Sequence, residues 1–393
     1  MPGSRVQHVW VLMFPGIVAA LTAIPVMALG PIAFAVRADI ELSTADIGVA
    51  FSSFFLCSAL FASAGGWLVV RFPASAVARV GTLCSAGVCV VLGVAEVKPL
   101  LLAACLVGGM VNGAVTPSLN ILITRVVPDR RWGLAFGIKA AAAPAAASLA
   151  ASGAYAAASS GFSWRHMYWM CAAAGVVVVA ASRGLDSGPP SRSPVRVPRR
   201  RVRPRLSLKI LGAGGLLGST GSSVLTPYLA DGLIAQGEPP GRAAGLLAVS
   251  GWLAITARII VGVFSDRSPD PLTHLRAAAL LLLGGSIGMV GLATGGTFPV
   301  LLVATLVAFG LGWAWPGLVH HAALATHPEN PAGATSYMQT GTFLGALLGP
   351  LGFGFVAAHG SFTLAWSISA ASALLACGFM LATVRQLEHG AAS

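Results

Sequence analysis

Charge is what this chain has least of. Aspartate, glutamate, lysine and arginine together make up 9% of its 393 residues, against about 25% in a soluble domain. With 56% of residues hydrophobic, that shortage excludes a water-soluble fold and leaves a protein whose solvent is lipid. Acid is scarcer than base, at 12 residues against 24, giving a formal net charge of +12. The surplus is assigned to arginine-rich loops at a membrane surface, and no feature supports a nucleic-acid partner. Cysteine is sparse: Cys57, Cys84, Cys89, Cys105, Cys171 and Cys377 all fall in apolar runs, and none forms a Cys-x-x-Cys pair. They read as small buried hydrophobes, which excludes a disulfide framework and a zinc site. No nucleophile–base pair, metal-ligand cluster or Walker A loop is present, so neither an enzyme, a resident cofactor nor direct ATP drive is expected. The first apolar run is too long for the core of a cleavable signal peptide, so it is expected to stay as a helix.

What is there is apolar length. A helix needs about 20 apolar residues to span the hydrocarbon core. Twelve segments qualify, at approximately 10–36, 46–70, 77–95, 99–124, 132–157, 166–182, 208–232, 243–264, 275–293, 298–322, 334–358 and 362–384. The expected fold is an all-α membrane protein of twelve transmembrane helices. Its 48 glycines suit helices that pack closely in lipid.

The loops alternate in charge. The first carries Arg37, Asp39, Glu41 and Asp46, an acidic excess. Those after segments 2, 4 and 6 are basic, with Arg71 and Arg79, then Arg125, Arg130 and Arg131 with Asp129, then a run from Arg183 to Lys209. The positive-inside rule then puts both termini in the cytoplasm of a cell whose plasma membrane the chain crosses repeatedly. The stretch 184–207 also holds Pro189, Pro190, Pro194, Pro198 and Pro204. It reads as an extended linker between six-helix bundles at 1–183 and 208–393. Constant offsets support that division. Gly48 and Gly65 recur 197 positions later as Gly245 and Gly262, while Gly113, Pro117 and Ala135 recur 199 positions later as Gly312, Pro316 and Ala334. Parallel repeats of this kind are one of the known transporter designs.

The 6 + 6 layout, the basic central stretch and the turn Gly262-Val-Phe-Ser-Asp266-Arg267 resemble the major facilitator superfamily, whose signature loop lies between helices 8 and 9. The matching turn between helices 2 and 3 is degenerate: Gly65-Gly-Trp-Leu-Val-Val70-Arg71 lacks the acid. Ala135-Phe-Gly-Ile-Lys139, Ala257-Arg258, Gly312-Trp-Ala-Trp-Pro-Gly317 and Ala334-Thr-Ser-Tyr-Met-Gln339-Thr-Gly341 are similar to the bacterial branch that includes cyanate-transporter-like proteins. Relatives there often follow the lysine with glutamine, where this chain has Ala140. The resemblance implies secondary transport by alternating access, a small anionic solute and a monomeric carrier. It also implies gating by Gly262, Asp266 and Arg267, with Asp266 bonded to a neighbouring helix N-terminus.

Full charges well inside the segments come to Lys139 in segment 5 and Arg258 in segment 8, with no Asp or Glu beside them. Lys139 lies eight residues past Arg131, and Arg258 seven before Ser265, so the two stand roughly 12 and 10 Å from the same face at 1.5 Å per residue. Gln339 falls at a similar depth. The superfamily fold implies that helices 5 and 8 meet between the halves, where both cations could hold one anion. The competing reading has each cation paired with backbone carbonyls or loop acids. Asn112 and Thr116, Trp313 and Trp315, and Tyr228 are further candidates for solute contact or helix packing. His320 and His321 are expected at the solvated end of segment 10. An exporter of hydrophobic drugs or secondary metabolites is the alternative function, and a proton is one candidate coupling ion.

Overall fold

The structure is a computed structural model that describes residues 3–128, 131–160, 163–183, 206–268, 270–327 and 331–392. Residues 184–205 of the expected linker, together with Asp129 and Arg130, lie outside the described residues. Among the described residues the chain forms twelve helical rods made of sixteen helices. In order these are α1 (Gly3–Met27), α2 (Leu29–Asp39), α3 (Thr44–Arg71), α4 (Ala74–Gly93), α5 (Lys98–Val126), α6 (Trp132–Ala140), α7 (Ala142–Ser160) and α8 (Trp164–Ala181). They continue with α9 (Leu206–Ser222), α10 (Leu225–Ala235), α11 (Pro240–Arg267), α12 (Pro271–Thr294), α13 (Phe298–Gly312), α14 (Pro316–Thr326), α15 (Pro331–His359) and α16 (Phe362–Ala392). Ten of the rods are long and apolar enough to cross a membrane. Of the other two, α8 opens on Arg165 and His166, and the α9–α10 rod is divided into 17 and 11 residues.

Four rods are broken, and proline explains where. A proline has no N–H for the carbonyl four residues back, and its ring crowds that carbonyl. Pro31, Pro144 and Pro316 stand four residues after Met27, Ala140 and Gly312, the last residues of α1, α6 and α13. Pro227 stands four after Ser223, just past the end of α9. The chain bends at each break instead of staying straight, and each break frees a carbonyl that lipid cannot satisfy.

An even number of rods puts both described ends of the chain on one side, here termed the terminal face; the other is the far face. Contacts between the first eight helices and the last eight run through α2 against α10, α3 against α15, and α6 and α7 against α11. Near the far face one buried apolar cluster is continuous across both groups. It runs from Ile24–Ile40 and Phe51 to Val224–Leu233, Ala243–Ala254 and Phe353. Towards the terminal face the core divides: Phe14, Val18, Ala78 and Leu119 cluster on one side, Leu211, Leu282, Trp315 and Met338 on the other. The two groups of helices are therefore fused by apolar packing at the far face, whereas α6 and α11 carry the contact at the terminal face.

Polar links reinforce the far face. Arg37 of α2 makes a two-pronged pair with Asp231 of α10, Nη1 to Oδ1 at 2.9 Å and Nη2 to Oδ2 at 2.8 Å. The Ser52 hydroxyl donates to Leu347 O at 2.6 Å and the Tyr228 hydroxyl to Pro350 O at 2.7 Å. Asp231 lies at the very end of the apolar segment 208–232, outside the reach of the expectation that no acid sits well inside the segments. It is 5% exposed, close to the end of its rod, and is answered by a cation from the other group of helices. Tyr228, a candidate for solute contact, is fully buried in this packing, stacked on Phe353.

The pair yields a signed prediction. Arg37→Ala strands a buried carboxylate, whereas Asp231→Asn leaves a neutral amide facing an arginine that is 27% exposed. Breaking a buried pair costs about 3–5 kcal/mol and an exposed one about 0–1. Thermal unfolding of detergent-purified protein should show Arg37→Ala as the more damaging change, by several degrees. Equal losses, or a larger loss for Asp231→Asn, would contradict the burial argument.

Candidate functional site

Two of the proline breaks face each other across the boundary between the helix groups, and Arg258 fills the gap. It projects from α11 and donates through Nε to Trp313 O at 2.9 Å, just past the end of α13. Through Nη1 it donates to Ala140 O, the last carbonyl of α6. Pro144 denies Ala140 O its helical donor, so the arginine supplies the missing hydrogen bond from the opposite group of helices. The guanidinium also lies over the Trp313 ring, 4.7 Å from its centroid, a favourable cation–π arrangement. Trp313 in turn meets Phe309 edge to face at 5.1 Å.

Lys139 immediately precedes Ala140, so the two cations converge on one stretch of backbone. Its Nζ donates to Asn120 Oδ1 of α5 at 2.5 Å. Neither cation takes part in an ion pair among the described residues. Those pairs are Arg37–Asp231, Lys98–Asp46, Arg165–Asp39, Arg242–Glu238 and Arg276–Glu388. The acids thus sit at the faces and the two innermost cations keep neutral partners. Lys139 also stands near His320 of α14, as does Gln339 of α15.

The other sequence candidates are placed as follows. Asn112 spends both ends of its amide on helix packing, accepting from the Ser58 hydroxyl at 2.8 Å and donating to the Thr22 hydroxyl at 3.2 Å. Thr116 donates back to Asn112 O. Trp315 is fully buried against Gly218. His320 departs from its expected solvated position: its Nε2 is buried, and its Nδ1 lies 2.8 Å from Pro316 O. α14 packs against α6, α11, α12 and α15, and it is these neighbours, which a count along one rod does not show, that enclose the ring nitrogen. Asn120 and His320 are the site residues that sequence reasoning missed. Pro144 and Pro316 are the available signals, because both mark where the rods open.

At the terminal face Asp266 closes a second contact. Its Oδ1 accepts from Gly133 N at 2.6 Å and its Oδ2 from Leu134 N at 2.9 Å. These are first-turn donors of α6, unsatisfied within the helix, so the carboxylate caps a helix of the other group and meets its dipole favourably. The approach depends on glycine. A Cβ on Gly262 would lie 2.5 Å from Gly133 O, and one on Gly137 2.9 Å from Arg258 O. Arg267 is exposed. The corresponding turn at the end of α3 has Val70 before Arg71, and Arg71 lies over the Trp67 ring at 4.3 Å.

A family model described as the Major Facilitator Superfamily matches residues 16–304. The chain belongs to that superfamily. It is a multi-pass membrane transporter. Solved structures of the same superfamily fold include the nucleoside transporter NupG, with a TM-score of 0.73 at 13% identity over 96% of this chain and 99% of that one. A bacterial homologue of the human lysosomal transporter Spinster, inward-facing and occupied, gives 0.68 at 16% identity over 97% and 96%. The human organic anion transporter MFSD10 gives 0.67 at 17% identity over 95% and 99%. No curated protein sequence matches the chain significantly. At these identities the likeness is one of superfamily fold.

The gate-like contact can be tested by stability. Gly262→Ala forces backbone apart and should cost about 1–3 kcal/mol, the range for overpacking. Asp266→Ala uncaps α6 and should cost about 1 kcal/mol. Because both changes break one contact, the double variant should lose less than the sum, read from detergent melting curves. Full additivity would show that Asp266 and Gly262 act separately.

Proposed function

We propose that the protein is a secondary transporter of a small organic or inorganic anion, carboxylate-like in charge and size, working by alternating access. Residues 1–183 and 208–393 would move as two bundles joined by the 184–207 linker. The arginine-rich terminal face would lie in the cytoplasm of a cell bounded by a plasma membrane. The observation that carries this reading is the pair of interior cations, Lys139 and Arg258, whose described partners are all uncharged. Two like charges at low dielectric repel, and an anion between them relieves that cost while forming charge-assisted hydrogen bonds. Arg258 has two of its three nitrogens committed to carbonyls, which leaves Nη2 to complete an oxyanion contact. Lys139 would contribute a point charge, Asn120 and Gln339 amide donors, and Trp313 an apolar wall.

The same geometry supplies the means of alternation. Arg258 ties α11 to Ala140 of the opposite group, so anything that draws the guanidinium away loosens that tie. A bound anion competes for those donors. Asp266, with Gly262 allowing the close crossing and Arg267 beside it, would act as the latch at the terminal face, and Arg37–Asp231 as its counterpart at the far face. Closure of one and release of the other would then expose the solute to alternate sides.

The test uses purified protein in liposomes, with radiolabelled lactate, nitrate and benzenesulfonate as anionic probes and uridine as a neutral one. At least one anion should be carried. A charge-assisted bond contributes about 1.5–3 kcal/mol, or roughly 10–100-fold in affinity, so Lys139→Gln and Arg258→Gln should each cut anion uptake by at least tenfold. Arg258→Lys keeps the charge and should retain part of it. Gel filtration and a melting curve establish that each variant is folded. Uridine uptake without anion uptake, or wild-type anion rates in both glutamine variants, would refute the site. Resistance to hydrophobic drugs that survives both substitutions would point to an exporter instead.

A further inference from the structure

His320 of α14 is a titratable group, half-buried with its Nε2 enclosed, that the anion site does not yet use. Its Nδ1 lies 2.8 Å from Pro316 O. A carbonyl oxygen only accepts, so Nδ1 carries a hydrogen and donates it. That contact fixes the tautomer, and the neutral ring then presents a bare lone pair at Nε2. The Nε2 atom is buried and has no partner of good geometry among the described residues, while the Gln339 side chain is within hydrogen-bonding reach of the ring and the Lys139 charge acts on it. A buried acceptor left in this state is costly unless it has work to do.

The charges around it decide when it can take a proton. From α6 it faces Lys139, and from α15 the neutral Gln339. From α11, Arg258 is held on Trp313 O at the head of the same bend, while Asp266 stands near His321. From α12, His274 is engaged with His321, Nδ1 to Nδ1 at 3.1 Å. From α9, Ser207 lies against His327, and Lys209 is exposed. With the site empty, a proton on Nε2 would place a third positive charge near two that have no counter-ion among the described residues. An anion between Lys139 and Arg258 reverses that balance. By linkage, whatever favours proton uptake when the anion binds also favours anion binding when the proton is bound.

Building on the anion reading above, we propose that His320 accepts a proton at Nε2 when the anion site is filled, so that solute and proton cross together. The proton comes from water on the loading side and leaves to water on the other, with no other bond made or broken. For a monovalent solute the loaded carrier then moves without net charge from its cargo. The adjacent histidines serve different ends, because His320 turns toward the solute and His321 toward the terminal-face contact.

The experiment follows proton uptake by purified full-length protein in weakly buffered detergent solution. A pH-indicator dye is the readout while lactate or benzenesulfonate is added, whichever the wild type transports. About one proton should be taken up per anion bound, and anion affinity should tighten as pH falls, approaching tenfold per pH unit where the ring is neutral. His320→Gln should abolish the uptake and flatten the pH profile at low affinity. His320→Lys should flatten it at high affinity. Anion binding by wild type without proton uptake would overturn the inference and leave the anion site standing. Uptake that persists in a folded His320→Gln would do the same. Failure of the wild type to bind or carry any of the anions would instead remove the anion reading, and this inference with it.

Discussion

Everything at the centre of this bundle depends on the rule that a backbone carbonyl in lipid must find a donor. Pro144 and Pro316 each withdraw one donor from a helix, and the breaks they cause open the chain at Ala140 and Trp313. Water would normally repair such gaps, but hydrocarbon cannot. Arg258 repairs the one at Ala140 O and also satisfies Trp313 O, the neighbour of the Gly312 carbonyl that Pro316 deprives. The repair also joins two groups of helices, since Ala140 lies in the first and Trp313 in the second. A charged residue deep in a membrane is costly. Here part of that cost is offset by satisfying two carbonyls that would otherwise stay unpaired. The arginine is thus a structural tie and, among the described residues, a cation without an acidic partner. Under the proposed function, that combination would let a solute compete directly with the contact that holds the groups in register.

The distribution of acids sharpens the point. Asp39, Asp46 and Asp231 lie toward the far face, and each has a cationic partner. Asp266 is spent on the N–H groups of α6 at the terminal face. Between these two levels the described cations have only amides, carbonyls and an aromatic ring around them. A protein that needed Lys139 and Arg258 solely as packing would gain by placing one carboxylate between them, because leaving two like charges unopposed at low dielectric costs more than a satisfied pair. The arrangement is intelligible if the missing charge arrives from outside.

Much of this was legible in the residues. Twelve apolar runs correspond to the twelve rods. Lys139 and Arg258 stood out as interior cations, and Asp266 was expected on a helix N-terminus, where Gly133 and Leu134 now receive it. What sequence could not supply was how the rods pack. Position along the rod suggests a solvated edge for His320, whereas packing of α14 against α6, α11, α12 and α15 encloses its Nε2. Asp231 was likewise obscured by its place at the end of an apolar run; only the approach of α2 to α10 brings Arg37 within 3 Å of it. Asn112 illustrates the opposite case. A polar residue in an apolar run suggests a ligand, yet Ser58 and Thr22 consume both ends of its amide, and nothing local in the sequence reveals partners 54 and 90 residues away.

The division of the core gives these contacts unequal weight. At the far face a continuous apolar cluster crosses both groups, so Arg37–Asp231 adds direction and register to packing that would hold without it. At the terminal face the apolar clusters are separate, and the groups meet where α6 crosses α11 at Gly133, Gly137 and Gly262. A contact made of glycines buries little apolar area, so its strength rests on the Asp266 carboxylate and, about two turns deeper, on Arg258. Both are electrostatic, and both end on α6. That short helix, only nine residues long between Trp132 and Ala140, is capped by Asp266 at one end and tied by Arg258 at the other. It also carries Lys139 on its last turn. A change in charge at Lys139 would therefore act on the same short helix that makes the terminal-face contact, which is the coupling between site and gate that the proposed mechanism requires.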